Sequence, residues 1–494
     1  MDNNDLRLIL NAKVSLVVIE TYDEPRALNL LESLFKYENL PAWRWTITEG
    51  LSNLGYGMNL KPTETHSDPD AILRHIKGCK EKSAFVLCDM HPYIEEAKNI
   101  RFLKDIVFGK AGHKVVLISH QLSLPSELSR YAASVSLSMP SEDEILAIVR
   151  EEARVWAAHN NKSRIKTDSE TLQKLVGNLQ GLPHQDVRRL AHGAIADDGA
   201  ITESDLPELT RRKFELMNMD GVLHYEFSTA HLRDVGGLST LKRWLEDRRH
   251  LMTQDKSSDG DLHVDAPKGV LLFGVQGGGK SLAAKSIAGV WGLPLLRLDM
   301  AALFNKYVGE TEKNLREALK LADLMSPCVL WLDEIEKGLA QGDSDNATGK
   351  RLLGTLLTWM SERKSKVFLV ATSNDISVLP PELMRKGRFD EIFFVDLPDQ
   401  STRAVIFSIH IKKRGLALDK FDLGALAEMT EGFTGAEIEQ AVVSATYSAS
   451  ARTESAKQKH VVDAIQLTQP LSVVMAERIQ ELQAWAKERA VFAN

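Results

Sequence analysis

Apolar positions along the chain fall into two regimes. Short unbroken runs such as Val270–Phe273, Cys328–Leu332 and Val367–Val370 predict strands buried on both faces, the pattern of a parallel sheet covered by helices. Longer stretches such as "ETEKNLREAL" (Glu310–Leu319) carry apolar residues at helical spacing. In the first half, "KVSLVVIE" (Lys13–Glu20), "SAFVLCDM" (Ser83–Met90) and "KVVLISHQ" (Lys114–Gln121) repeat the strand pattern. "SEDEILAIVREEARVWAAHNN" (Ser141–Asn161) opens with acids in its first turn and continues with helical periodicity. "LSVVMAERIQELQAWAKERAVF" (Leu471–Phe492) predicts an amphipathic terminal helix whose mixed acidic and basic face suits packing on the helical lid that precedes it rather than on a membrane.

The ends of these runs carry the chemistry. In "KGVLLFGVQGGGKSLAAKSIAGVW" (Lys268–Trp291) a strand runs into Gly274-x4-Gly279-Lys280-Ser281 and then a helical pattern, which is strand, P-loop and helix. The glycines let backbone N–H groups ring phosphates, and the positive end of the helix adds to the field. Lys280 is placed to reach the β- and γ-phosphates and Ser281 to hold Mg²⁺, so ATP and Mg²⁺ are the expected ligands. "CVLWLDEIEK" (Cys328–Lys337) delivers Asp333 and Glu334 to a strand's carboxyl edge, the first for Mg²⁺, directly or through water, and the second as base for the attacking water. Two surface acids after a core strand are the plainer reading. "KVFLVATSND" (Lys366–Asp375) ends in Asn374, a neutral amide suited to orienting water and sensing the γ-phosphate, though in isolation it reads as a turn residue.

Bulk properties narrow the choice. A chain of 494 residues exceeds one ordinary core, which predicts roughly two to four domains. With 61 basic and 68 acidic residues the formal charge is -7, which offers no basic footprint for nucleic acid. Cys79, Cys88 and Cys328 are widely spaced and mostly within apolar runs, which predicts reduced thiols rather than a disulfide framework. The acidic start argues against a secretory signal, and no run reaches bilayer length, so no membrane association is expected. A zinc-protease signature, His-Glu-x-x-His, is absent.

These residues resemble an AAA-type ATPase over nearly all of Leu232–Asn494. "DVGGL" (Asp234–Leu238) matches the family's leading segment, whose backbone lies against adenine, which implies that Asp234, Val235 and Gly236 bind the base. "GFTGAEIEQAV" (Gly432–Val442) matches the helical-lid segment that contacts ribose and base, here Gly435 and Ala436, and His410 in "IFSIHIKKR" matches the nucleotide-side histidine. The P-loop contributes Gly274, Val275, Gln276, Gly277, Gly278, Gly279, Lys280, Ser281 and Leu282. It departs from the common Gly-Pro-Pro-Gly-Thr-Gly-Lys-Thr form at Val275, Gln276, Gly278 and Ser281, and none of these changes removes a required donor. The wording "GVQGGGKS", "SPCVLWLDEIEKG", "LLTWM" and "LPPELMRKGRFDEIFFVDLP" is similar to the AAA-domain proteins encoded in algal plastid genomes and found in cyanobacteria and other bacteria. That branch implies a cytoplasmic or plastid-stromal protein.

"RKGRFDE" (Arg385–Glu391) matches the family's arginine-finger segment, which faces the neighbouring subunit and supplies charge to its γ-phosphate. The resemblance therefore assigns Arg385 and Arg388 to catalysis in a homo-oligomeric ring, six-fold by family analogy. The other reading pairs both arginines with Asp390 or Glu391 on the surface. Lys306-Tyr307-Val308-Gly309 stands at the family's central-pore position, where Tyr307 and Val308 either grip an extended polypeptide client or pack under the ring.

Residues 1–215 present the same order of parts with the chemistry removed. "KVSLVVIE" continues into "TYDEPRAL", so Glu20, Asp23 and Glu24 replace glycines and lysine and would repel phosphate. "SAFVLCDM" sets Asp89 against Asp333 and Met90 against Glu334, and "KVVLISHQ" has no clear equivalent of Asn374. "LPSEL" (Leu124–Leu128) matches "LPPEL" (Leu379–Leu383), Pro140 matches Pro398, and the finger segment between them is missing, with Arg130 read as a surface residue. "GLPHQDVRRLAHGA" (Gly181–Ala194) matches the lid helix. The expected fold is α/β, with tandem AAA-like modules, each a parallel P-loop-type sheet sandwiched by helices plus a small helical lid, and with the first module degenerate. An unrelated α/β first domain is the alternative. The expected boundaries are 1–140 for the degenerate α/β domain, 141–215 for its lid, 216–233 for a linker, 234–400 for the ATPase α/β domain and 401–494 for its lid and terminal helix. The expected function is an ATP-hydrolysing, ring-forming remodeller of proteins. A nucleic-acid-associated switch and an ATP-sensing scaffold are the competing readings.

Overall fold

A computed structural model describes the chain apart from residues 1, 13, 55–65, 121, 161–164, 197–198, 219–221, 228, 230–233, 254–264, 301–302, 304–309, 340–345 and 386. The expected client-gripping residues Tyr307 and Val308 lie outside the described residues. The chain divides into two compact units, Met1–Asp205 and Leu206–Asn494.

In the first unit the apolar runs form β1 (Leu16–Glu20), β2 (Ala42–Thr46), β3 (Gly50–Asn53), β4 (Ala84–Cys88), β5 (Lys114–Ser119) and β6 (Ala132–Ser136), in the sheet order β3-β2-β4-β5-β1-β6. Successive side chains of a strand point to opposite faces. Leu16 and Val18 accordingly enter one apolar core, while Val17 and Ile19 enter another on the other side of the sheet. Helices Glu142–His159, Ser169–Leu179 and His184–Ala196 follow, the first opened by a capping box between Ser141 and Glu144.

The second unit contains β7 (Leu223–Tyr225), β8 (Gly269–Gly274), β9 (Leu295–Asp299), β10 (Cys328–Asp333), β11 (Val367–Ser373), β12 (Glu391–Val395) and β13 (Val491–Phe492), ordered β13-β12-β8-β11-β10-β9-β7. Leu271 and Phe273 feed one core and Val270 and Leu272 the other. Helices Gln400–Lys413, Leu423–Glu428, Gly435–Ala451 and Gln458–Gln466 form the lid around Phe407, Ile411, Ile438, Val442 and Val461.

Five parallel strands share one order in both units: β2-β4-β5-β1-β6 corresponds to β9-β10-β11-β8-β12. Each unit adds an antiparallel edge strand beside β2 or β9, namely β3 and β7. Glu20 pairs with Ser119 and Ser136, and Phe273 pairs with Ser373 and Phe394, so Thr21 corresponds to Gly274 and His120 to Asn374. Cys88 lies opposite Ile118, the counterpart of Thr372, so Cys88 takes the register of Asp333 and Asp89 that of Glu334. Asp89 and Glu334 share a left-handed backbone, with φ of 53° and 48°. The alignment read from sequence is thus shifted by one residue at this strand, and His120 fills the register of Asn374.

Two further differences concern the ends of the second unit. Helix Leu206–Met217, expected to close the first lid, instead contributes Phe214 to the core of the second sheet, and its buried Lys213 donates to the Leu324 carbonyl at 2.7 Å. The span expected to be a linker supplies β7, which pairs with β9. Helix Ala476–Arg489 packs on the sheet rather than on the lid: Leu482 and Ala486 join its core, and the Trp485 ring meets Phe273 edge to face at 5.0 Å. The chain then pairs β13 with β12.

Candidate nucleotide site

The turn after β8 requires glycine at its ends. Gly274 has φ 145°, and a Cβ there would collide with the Val395 carbonyl. Gly279, at φ 98°, is the N-cap of helix Lys280–Trp291 and provides no side-chain cap, so the helix presents its N-terminal N–H groups to the loop. Lys280 is only 6 % exposed, and its Nζ donates to the carbonyls of Gly274 and Val275, each at 2.9 Å. Burial holds its pKa down to about 8, opposed by the charges of Glu336, Glu334 and Asp333.

The carboxyl edge of β10 faces this loop. Asp333 Oδ1 accepts from the Thr372 hydroxyl at 2.9 Å and its Oδ2 from Arg297 at 3.0 Å. The Glu334 backbone N–H donates to Thr372 Oγ1 at 3.2 Å, which anchors a left-handed residue that is uncommon outside glycine. Glu334 Oε1 accepts from Asn374 Nδ2 at 3.1 Å, and its Oε2 pairs with Lys337. The Asn374 backbone N–H donates to Glu336 Oε1 at 2.9 Å. The turn reading of Asn374 therefore gives way to a side chain engaged with the candidate base.

Lys280, Asp333, Glu334, Thr372 and Asn374 line one cavity of about 470 Å³, within the size range of small-molecule sites. Asp234, Val235 and Gly236 form one wall, Gln276 to Leu282 the floor, and Ile406, His410, Gly435 and Ala436 the lid side. Gly274 and Val275 sit beneath as the acceptors of Lys280. Ala436 N–H donates to the Gly277 carbonyl at 3.2 Å, which ties the lid to the loop. His410 Nδ1 lies 3.4 Å from Glu439; burial pushes the imidazole below its ordinary pKa, opposed by Glu439, while Arg414 and Lys413 push it further down. The open glycine turn, the buried lysine and the oxygen donors Ser281 and Asp333 fit a nucleotide with Mg²⁺.

Arg385 is exposed, and Arg388 donates to the Leu357 carbonyl and the Ser361 hydroxyl. Asp390, one of the two partners in the surface-pair reading, is instead used by the backbone N–H groups of Lys268 and Gly269 at 2.6 and 2.9 Å. Neither arginine lines the cavity, where Lys280 is the sole lysine or arginine among the described residues.

Several contributors stand outside the sequence motifs. Thr372 joins Asp333 to the Glu334 backbone, and Arg297, a charge inside an otherwise apolar strand, pairs with Asp333 and stacks on Trp331. A charged residue in a buried run was the available signal. Asn494 fixes the leading segment: its Oδ1 accepts from Leu238 N–H, and its backbone carbonyl accepts from Thr240 Oγ1 at 2.9 Å.

The first unit treats the same edge differently. Three residues, Thr21 to Asp23, join β1 to helix Glu24–Tyr37, and the buried Asp23 carboxylate accepts from Arg26 N–H at 3.3 Å as the helix cap. Glu20 Oε1 accepts from Leu122 N–H at 2.9 Å. The helix end that would attract phosphate is already occupied by a carboxylate.

Residues 270–397 match the ATPase family associated with various cellular activities (AAA), and residues 420–463 match the AAA+ lid domain. Residues 2–137 and 143–220 match the N-terminal and second domains of SpoVK-like AAA ATPases. The uncharacterized AAA domain-containing protein ycf46 of Pyropia yezoensis is 34% identical over 494 residues, covering 98% of this chain and 97% of that protein. Its namesake in Guillardia theta is 33% identical, covering 98% and 94%. A proteasome-activating nucleotidase of Aeropyrum pernix is 31% identical over 364 residues, covering 72% of this chain and 83% of that protein. The glycine turn with its buried lysine, the strand order shared by the two sheets and these likenesses agree: the chain belongs to the AAA ATPase family, in the branch of the AAA domain-containing proteins called ycf46.

Proposed function

We propose that the second unit binds ATP with Mg²⁺ and hydrolyses it within a homo-oligomeric ring that remodels protein clients. The observation that carries this reading is the placement of Glu334, held in a left-handed conformation by Thr372 and by the Asn374 amide at the rim of the cavity that Lys280 floors. Lys280 exchanges its two carbonyl acceptors for phosphate oxygens, and the loop N–H groups take up the remaining phosphate charge. Ser281 and Asp333 would hold Mg²⁺, which offsets negative charge on the β- and γ-phosphoryl oxygens when bound. Glu334 accepts a proton from water as its oxygen bonds to the γ-phosphorus, and the bond to the β–γ bridging oxygen breaks to release ADP. Asn374 keeps the carboxylate directed at that water. Asp234 to Gly236, His410, Gly435 and Ala436 enclose the base and ribose.

The ring reading is supported by the absence of Arg385 and Arg388 from the cavity of their own chain, which leaves their charge for a neighbouring copy. The protein client is supported by the likeness to a nucleotidase named for activating the proteasome. Phosphate release tests the site. Glu334→Gln should bind ATP as the unaltered chain does and hydrolyse it at least about 100-fold more slowly. Equal rates would remove Glu334 from the reaction.

A further inference from the structure

The carboxyl edge of the first sheet gathers three metal-capable side chains at the registers that hold Glu334, Glu336 and Asn374 in the second. Asp89 follows β4 in the left-handed region, His91 opens the turn His91–Tyr93, and His120 follows β5. One ligand atom from each lies within 4.8 Å of the others. The two imidazoles meet edge to face with centroids 5.0 Å apart. Ser119 Oγ stands 2.8 Å from His91 Nδ1, the kind of outer hydrogen bond that orients a ligating imidazole.

We propose that Asp89, His91 and His120 form a binding site for a divalent transition-metal ion of the zinc type. Two imidazoles and one carboxylate suit Zn²⁺ or Co²⁺, whereas Mg²⁺ and Ca²⁺ favour oxygen ligands throughout. Zinc bonds of about 2.0–2.1 Å place tetrahedral ligands about 3.3 Å apart. Asp89 and His120 are exposed and can swing that remaining distance, while the partly buried His91 is the fixed member. Glu20, Asp23 and Glu24 near the end of β1 make the neighbourhood favourable to a cation and unfavourable to phosphate. The edge that uses an acid pair, an amide and a nucleotide in the second unit thus becomes a set of protein ligands that needs no nucleotide, with water in the open positions.

The test uses the full-length, metal-stripped chain without nucleotide, titrated with Co²⁺ in excess Mg²⁺ and then with Zn²⁺. Expected are one Co²⁺ per chain with visible absorption of nitrogen and oxygen ligation, and its displacement by Zn²⁺. The double variant His91→Ala, His120→Ala and the single variant Asp89→Asn should each weaken binding at least tenfold, and Ser119→Ala less. His75→Ala, which alters the separate His75–Cys79 contact, should change nothing. His120→Ala alone, at an exposed position, keeps the test decisive should the double variant not fold. Unchanged affinity and stoichiometry in folded His120→Ala and Asp89→Asn proteins, or no binding at micromolar metal, would overturn the proposal.

Discussion

At the end of β8 the chain turns through five residues into a helix with no side-chain cap, whereas at the end of β1 three residues lead into a helix that Asp23 already caps. The strands behind these turns are alike in order, register and two-sided burial. A parallel sheet is stabilised by apolar side chains on both faces, and those contacts do not depend on what stands at its carboxyl edge. Edge chemistry can therefore be exchanged while the scaffold remains. On the proposed reading, Gly274 and Lys280 suit one edge to phosphate, and the carboxylates of Glu20 and Asp23 suit the other against it.

The sharpest way to break this comparison is through the arginines, whose loop has no counterpart in the shorter β5–β6 connection. Arg388→Ala should lower the rate of ATP hydrolysis by about 10³-fold. Mixing it with Lys280→Ala chains should restore part of the activity, because each variant supplies what the other lacks. Inactivity of verified mixed assemblies would place the arginines outside a neighbour's site.

A smaller effect concerns protons. Lys280 is held down to about 8 in the free chain, and bound phosphate favours its charged form. Binding to the neutral form must therefore take up a proton, so ATP affinity should be level below that pH and fall about tenfold per pH unit above it. Calorimetry in buffers of different ionisation enthalpy reads the uptake directly; a flat affinity from pH 7 to 9.5 would show that Lys280 is charged throughout. The smallest effect lies in the first unit: Asp23→Ala should cost about 1 kcal/mol of stability, seen as a lower urea midpoint, and should create no ATP binding.

Much of this difference was legible in the sequence. Unbroken apolar runs locate the ten parallel strands that match between the units only where burial on both faces suppresses alternation, so β1, β4, β5, β8, β10 and β11 stand out, whereas the three residues of β7 and the two of β13 are too short to show a period. The P-loop was evident because its glycines and Lys280 are adjacent in the chain. The register of Asp89 was not, because a lone carboxylate after a strand fits either position until the backbone conformation separates them. His120 is not legible at the Asn374 register, because only strand pairing relates it to Asp89 and His91. Periodicity shows that the terminal helix has an apolar stripe, but the expected partner, the lid, is the wrong one; Trp485 against Phe273 identifies the sheet.

The most direct measurement of the central contrast is the number of nucleotides bound per chain. Equilibrium dialysis of the full-length protein with a non-hydrolysable ATP analogue and Mg²⁺ should give one per chain, and none for Lys280→Ala. Two per chain, or binding that survives in folded Lys280→Ala protein, would contradict the division of the two sheets into one that holds nucleotide and one that does not.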